Sequence, residues 1–249
     1  MADATFWKRL AEKADRVLCR PELTHGWAEI VLGAEVPGPG GRRRRMTAVA
    51  SNTWRGHRRK DKARPGSGAV FQRYLVESQD AIVSGLSQVR TRDELHAYLN
   101  RVCDEIRARM TNVVDHVRAS YNSVRKPVDL YVEHLVAMAA EIPGEVRARL
   151  VPMLFLPLDK VILGPIDLRN GDAVMLFPPS FLGRFGLTAR SSYGHIRTER
   201  AYLALQAQVD QKARQVAEVC GRSFAPIYFD LLWNGRYRRE GPNLFALNP

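Results

Sequence analysis

Two acids and a histidine in one apolar segment have the residue types and spacing that chemistry requires. Asp129 and Glu133 are four residues apart, so on a helix their carboxylates project from one face on successive turns, with His134 one step round. Neighbouring carboxylates can bind Mg²⁺, which organises phosphodiester hydrolysis while a histidine or a bound water moves protons. The spacing predicts a catalytic site at Asp129, Glu133 and His134, with Asp129 and Glu133 as metal ligands.

A structural interpretation of the same residues stands beside this hypothesis. Asp129 falls in the predicted first turn of a helix, where the helix dipole stabilises a carboxylate, and Glu133 could pair with Arg125 or Lys126. Four other acids could complete a metal site by folding nearby, namely Asp159, Asp167, Asp172 and Asp230. The sequence leaves both interpretations open.

Most of the net charge lies between residues 42 and 73. This stretch holds eleven Lys or Arg residues against one acid, Asp61, which is +10 of the formal +12. Such a segment is suited to a polyanion, because neutralised phosphates release counterions. The residues predicted to bind nucleic acid here are Arg42, Arg43, Arg44, Arg45, Trp54, Arg55, His57, Arg58, Arg59, Lys60, Lys62 and Arg64.

Aromatic residues accompany the charge at two places. A base could stack on Trp54 while the surrounding guanidinium groups hold phosphates. Near the C-terminus, Asn234-Gly235 predicts a hairpin turn, and the binding residues predicted there are Arg236, Tyr237, Arg238 and Arg239. Two basic-aromatic segments favour nucleic acid, with DNA preferred to RNA, over a solvated arm. A membrane surface is disfavoured because residues 42–64 lack an apolar face.

A different catalytic pair is Arg190 and His195. Helical ribonucleases of the HEPN type carry an Arg and a His separated by four residues, and their helical cores would suit this chain. Gly194 lies inside the pair, and Arg90 with His96 makes a second pair in an Arg-rich chain. A metal-independent ribonuclease is therefore an alternative.

Several other classes of protein are not indicated. The chain has no GxxxxGK[ST], GxGxxG or GxSxG motif, which argues against nucleotide-dependent phosphoryl transfer and hydride transfer. Cys19, Cys103 and Cys220 lack CxxC spacing, which indicates reduced thiols rather than a zinc site or a disulfide framework. No run of 18 uninterrupted apolar residues occurs. We expect a soluble cytoplasmic protein without a membrane partner.

Hydrophobic periodicity predicts a chain that is mainly helical. Helices are predicted at residues 3–20, 69–89, 92–124, 128–142, 145–153 and 197–220. Thr91 and Glu94 form a capping box before the third helix, and Gly221 ends the last. The helix over residues 92–124 would be about 50 Å long at 1.5 Å per residue. It could be a structural spine, or a seam for a protein partner or a second copy. Pro127 is expected in the first turn of the next helix.

The sequence predicts fewer strands and domain boundaries than helices. Residues 46–51 and 173–177 are predicted as short strands, residues 225–233 and 236–239 as a hairpin, and residues 27–36 as strand or helix. The Pro-Gly run at 37–41 separates residues 1–36 from a basic arm at 37–68. Residues 69–249 are expected to form a helical core, in one domain with residues 1–36. The expected fold class is mainly α (α+β), with a long central helix and a small antiparallel β element that includes the C-terminal hairpin.

These observations together predict a nucleic-acid-binding protein, with DNA favoured. Its candidate activity is metal-dependent phosphodiester cleavage, with Mg²⁺ as the expected metal. One alternative is a non-catalytic subunit of a nucleoprotein assembly that uses the helix over residues 92–124 for its partner. The HEPN-like ribonuclease is the other.

Overall fold

Helices make up most of the structure, a computed structural model that describes residues 3–37, 43–57, 60, 65–110, 120–168, 172–238 and 244. In chain order the α-helices are α1 (Ala4–Ala14), α2 (Trp27–Leu32), α3 (Ser67–Glu77), α4 (Gln79–Gln88), α5 (Arg92–Met110), α6 (Tyr121–Met138), α7 (Gly144–Leu150), α8 (Lys160–Leu163), α9 (Pro179–Gly183) and α10 (Glu199–Cys220). A π-helical turn continues α1, and 3-10 turns occur at Ser51–Gly56, Val151–Met153, Tyr193–His195 and Pro226–Arg238. The mainly α class is confirmed.

Two small antiparallel sheets complete the described chain. Strand β1 (Ala34–Pro37) pairs with β2 (Arg43–Met46) so that Ala34 lies opposite Met46. Strand β3 (Ile166–Asp167) pairs with β4 (Ala173–Val174). The first sheet differs from the predicted loop or arm, whose short strand was placed at residues 46–51, because three of its arginines lie in β2. Residues 46–51 do not form the predicted strand.

Helix α6 lies at the centre of the core. All of its residues are buried except Tyr121 and Leu130. It packs against α2, α5, α7 and α10. A helix this apolar is normally buried, so the burial follows from its composition. Among the described residues, no helix is long and apolar enough to cross a membrane.

The single long helix predicted over residues 92–124 is wrong. Helix α5 ends at Met110, and α6 begins at Tyr121 after Ser120, whose backbone is extended with φ −73° and ψ 164°. The Ser120 hydroxyl accepts a hydrogen bond from the Ser123 amide at 3.2 Å, which is the N-cap geometry that starts a new helix. Residues 111–119 lie outside the described residues. The prediction missed this cap because apolar residues recur at helical spacing on both sides of Ser120.

The predicted C-terminal hairpin is also wrong. The 3-10 turns of Pro226–Arg238 occupy both of its strands and pack against α1 and α10. Gly235 has a φ of 64°, as a tight turn requires, but no strand follows it in the described chain. Residues 227–232 are buried without a break, and such a run lacks the alternation that marks a strand.

Two helix boundaries also differ from the prediction. Residues 69–89 were predicted as one helix, but Ser78 separates α3 from α4. Pro127 lies inside α6 and not in the first turn. Because proline has no amide hydrogen, the carbonyl four residues earlier loses its helical donor.

Candidate functional site

We define residues 43–60 as the basic segment. It begins with strand β2, where the Arg45 side chain lies against Gly33. Gly33 precedes β1 with a φ of 121°, and a Cβ there would lie 2.8 Å from Arg45 Nε. Only glycine allows both the backbone angle and this close approach. The exposed Arg43 donates to the exposed Glu35 at 3.0 Å, and an ion pair so open to solvent adds little stability. Arg43 and Arg45 are therefore displayed to solvent from a fixed base.

Trp54 holds the basic segment against α3. Its ring centroid lies 4.8 Å from that of Phe71, and a Cβ at Gly68 would lie 2.8 Å from its Nε1. The indole is half-buried in this packing. The sequence predicted Trp54 as a platform for a base, but its contacts are those of an anchor.

His57 fixes the other end of the segment, through the gap that Pro127 leaves in α6. The Ser123 carbonyl would accept from residue 127 in a regular helix, but proline cannot donate. The His57 Nε2 group lies 3.1 Å from this carbonyl and donates to it. Burial lowers the pKa of His57, so the ring is neutral. Because Pro127 cannot donate, the Ser123 carbonyl can accept from His57, and this hydrogen bond joins the basic segment to α6.

The other predicted binding residues fall into four groups. Arg43, Arg45, Lys60 and Arg238 are exposed. Arg236 is buried and pairs with Asp230, while the Tyr237 hydroxyl donates to the Leu168 carbonyl at 3.3 Å. Arg44 lies in β2 and Arg55 in the turn Ser51–Gly56. Arg42, Arg58, Arg59, Lys62, Arg64 and Arg239 lie outside the described residues.

Asp129 is part of a fully buried ion pair. Its Oδ1 accepts from Arg125 Nε at 2.7 Å, and its Oδ2 accepts from the Tyr202 hydroxyl at 2.8 Å. Burial raises the pKa of Asp129 to about 6, against the opposing effect of Arg125. Both oxygens have strong partners, so a metal ion here would have to displace a guanidinium group and a hydroxyl.

Arg125 extends this pair into a network between helices. Its guanidinium carbon lies 4.7 Å from the centre of the Phe155 ring and 5.0 Å from that of Tyr202. Its Nη1 donates to Asn100 Oδ1 at 3.0 Å, and the Asn100 amide donates to Glu199 at 2.7 Å. The network joins α5, α6 and α10, which is a structural role.

Glu133 has different neighbours from Asp129. Among the described residues, no N–H or hydroxyl group donates to either of its oxygens. Burial, and then the carboxylate of Asp230, raise the pKa of Glu133 well above its usual range, while Arg236 opposes them. Glu133 does not pair with Arg125 or Lys126, which bind Asp129 and Asp159.

His134 is buried and neutral. Its Nδ1 donates to the Leu130 carbonyl at 2.8 Å, and burial, with a smaller effect from Arg236, lowers its pKa to about 3. Asp129 and His134 therefore have different hydrogen-bond partners, and Arg236 acts on the pKa of both Glu133 and His134. Within the described ranges, no group of three or more His, Cys, Asp or Glu side chains could hold a metal ion.

A pocket of about 540 Å³ opens between the basic segment and α6. Thr47 and Thr53 of the basic segment form one wall, and Tyr193 and Trp233 contribute aromatic rings. Five charged side chains also line the pocket, namely Lys126, Asp159, Lys160, Asp230 and Arg236. All but Lys160 are buried. The sequence had named Asp159, Asp230 and Arg236, but had assigned none of them to a pocket.

Asp159 organises the centre of this pocket. Its Oδ1 caps α8 by accepting from the amides of Val161 and Ile162 at 2.9 and 3.1 Å. Its Oδ2 accepts from Lys126 Nζ and Trp233 Nε1, both at 3.1 Å. Two further contacts hold Tyr193 in place: Lys126 lies 5.0 Å from the centre of its ring, and its hydroxyl donates to the Thr53 carbonyl at 2.7 Å. The basic segment is thus joined to the pocket by direct hydrogen bonds.

Sequence reasoning missed Lys126, Lys160 and Tyr193. The available signal was Asp159-Lys160, a charged pair that directly follows the buried residues 154–158. The predicted pair Arg190 and His195 is exposed and lies outside the α-helices. His195 Nδ1 accepts from the Ser192 amide at 3.1 Å, which stabilises a 3-10 turn.

Comparisons with protein-family models, with curated proteins and with solved structures found no match to this chain. The function must therefore be argued from its own geometry and charge.

Proposed function

We propose that this protein binds nucleic acid through the exposed cations of the basic segment. Arg43 and Arg45 lie on β2, and Lys60 is also exposed. They belong to a stretch that carries +10 of the formal +12 charge. A concentrated positive charge is suited to phosphates, because each neutralised phosphate releases condensed counterions.

The anchoring of the segment is the observation that carries this proposal. Three contacts hold it: the Arg45 side chain lies against Gly33, the Trp54 ring packs on Phe71, and His57 donates to the Ser123 carbonyl. Cations held on a fixed base lose less conformational entropy on binding than cations on a free arm. This arrangement supports a binding surface, because Arg43 and Arg45 are exposed while Trp54 packs inward on Phe71.

Phosphodiester cleavage is a separate proposal with weaker support. Asp129 would have to release Arg125 and Tyr202 before it could bind Mg²⁺, and burial raises the pKa of Glu133 well above its usual range. Asp230 lines the pocket and raises the pKa of Glu133, so an acid–base reaction would be sited at these two carboxyl groups. The assembly subunit and the HEPN-like ribonuclease remain proposals, and no contact described above favours them over binding alone.

The double substitution Arg43→Gln with Arg45→Gln tests the binding proposal. We expect weaker binding of labelled DNA, measured by fluorescence anisotropy at fixed salt. The matched control is Lys8→Gln with Arg9→Gln, which removes the same charge from exposed positions on α1. Equal losses in the two proteins would mean that only net charge matters, and would contradict the assignment to the basic segment.

A further inference from the structure

The pocket beside the basic segment has four buried charged side chains in its lining. Lys126, Asp159, Asp230 and Arg236 each have less than a tenth of their surface exposed. Removing ions from water is costly even when they are paired, and apolar residues of similar volume are often as stable. Buried charges that converge on a cavity are therefore a reason to look for a ligand.

The charge of the lining selects the ligand class. Lys126, Lys160 and Arg236 face Asp159 and Asp230, which leaves one positive charge in excess. Lys160 is exposed, whereas Lys126 and Arg236 are held by the two acids. The lining therefore suits a ligand with a single negative charge, which is the charge of one phosphodiester group.

The volume and the aromatic lining of the pocket restrict the class of ligand further. A volume of about 540 Å³ falls in the range of about 300–1,000 Å³ that holds small organic ligands. Trp233 and Tyr193 line the same cavity, and an indole ring can stack on any base. The base would stack on the face of the indole opposite Arg236, whose guanidinium carbon lies 4.8 Å from the ring centre. The basic segment itself contributes part of the pocket wall, through Thr47, Ala50 and Thr53. A strand bound to that segment would pass the mouth of the pocket.

We propose that this pocket takes one unpaired nucleotide of a bound strand, with its phosphodiester at Lys160 and its base beside Trp233. The inference rests on the proposed function, since the basic segment supplies the rest of the strand's contacts. A base within a duplex is stacked and paired, and it cannot enter a pocket unless it leaves the helix. The protein therefore prefers single strands to duplexes.

The test compares a labelled thymidine oligonucleotide with the same strand paired to its adenine complement, at one salt concentration. We expect the single strand to bind about tenfold more tightly, on the scale of one base stack. Ala50→Phe, which fills the pocket, should abolish this preference. Lys160→Gln should reduce the preference, and because Lys160 is exposed this variant should fold normally. Lys8→Gln is the matched control on α1.

Two results would overturn the inference. One is equal affinity for the two DNAs, and the other is a preference that survives in folded Ala50→Phe. If neither DNA binds, the proposed function fails, and the dinucleotide TpT then tests the pocket directly by quenching of tryptophan fluorescence. Saturable quenching that is lost in Ala50→Phe supports the pocket, and no quenching overturns it.

Discussion

Asp129 shows how a buried acid can have the spacing of a catalytic residue and still be structural. It binds Arg125 on its own helix and Tyr202 on α10. Asp129→Asn would leave the Arg125 charge buried without its partner. We expect the free energy of unfolding to fall by about 3–5 kcal/mol, the usual cost of breaking a buried pair. Urea denaturation measures it.

Glu133→Gln is the control for that experiment. Burial raises the pKa of Glu133 well above its usual range, which favours the neutral form, so an amide of the same shape should change the unfolding free energy far less than Asp129→Asn does. A stable Asp129→Asn protein that loses Mg²⁺-dependent cleavage would contradict the structural role and would restore the metal-ligand hypothesis.

His134 should make the fold sensitive to acid. Its pKa is lowered from 6.5 to about 3, so between these values the unfolded chain binds a proton that the folded chain does not. The unfolding free energy therefore falls as the pH drops from 6.5 towards 3. Asp129 and Glu133, whose pKa values are raised, act in the opposite direction as the pH falls through their folded values.

His134→Asn isolates this effect. The amide can still donate to the Leu130 carbonyl but cannot take up a proton. Urea denaturation at a series of pH values should show a smaller loss of stability between pH 6.5 and 3 than in the wild type. An unchanged pH profile would mean that His134 does not stay neutral in the fold.

Residue roles could be predicted from sequence only where local spacing decides them. Arg125 and Asp129 are four residues apart, so their pairing could have been inferred from the chain. Tyr202 and Asp230 come from distant segments, and only the tertiary fold brings them to α6. The hydrogen bond of His57 also depends on the tertiary fold. Its acceptor, the Ser123 carbonyl, lacks a helical donor because Pro127 lies four residues later.

At the scale of elements, the cap at Ser120 decides where α6 begins. Ser120→Ala should lower the unfolding free energy by about 1 kcal/mol, because the Ser123 amide loses its acceptor. Ser120→Asp should retain most of the stability, since aspartate is also a good N-cap. Thermal or urea denaturation distinguishes the two. Full stability in Ser120→Ala would support a continuous helix through this position.

Element existence was predicted better than element ends. The capping box is confirmed, because the Glu94 amide donates to Thr91 Oγ1 at 3.2 Å and the Thr91 amide donates to the Glu94 carboxylate at 3.1 Å. The end of α10 at Gly221, with a φ of 65°, is also confirmed. The C-terminal hairpin failed because Asn234-Gly235 fixes a local turn, while burial of the residues before it decides the structure.

At the scale of the whole molecule, charge and shape point to the same surface. The basic segment forms one wall of the pocket, and α6 supplies both the opposite wall and the carbonyl that holds His57. The prediction of a polyanion partner comes from composition alone, because the charge is local in sequence. The pocket could not be predicted, because its lining comes from five separate parts of the chain.

The salt dependence of DNA binding tests the central claim most directly. In a plot of log affinity against log salt concentration, each phosphate contact contributes a slope of about −0.9 for duplex DNA and about −0.7 for single strands. We predict a steep slope for the wild type that becomes shallower by about one to two such units in Arg43→Gln with Arg45→Gln. Lys8→Gln with Arg9→Gln should leave the slope unchanged. A wild-type slope near zero, or the same slope in all three proteins, would contradict nucleic-acid binding by the basic segment.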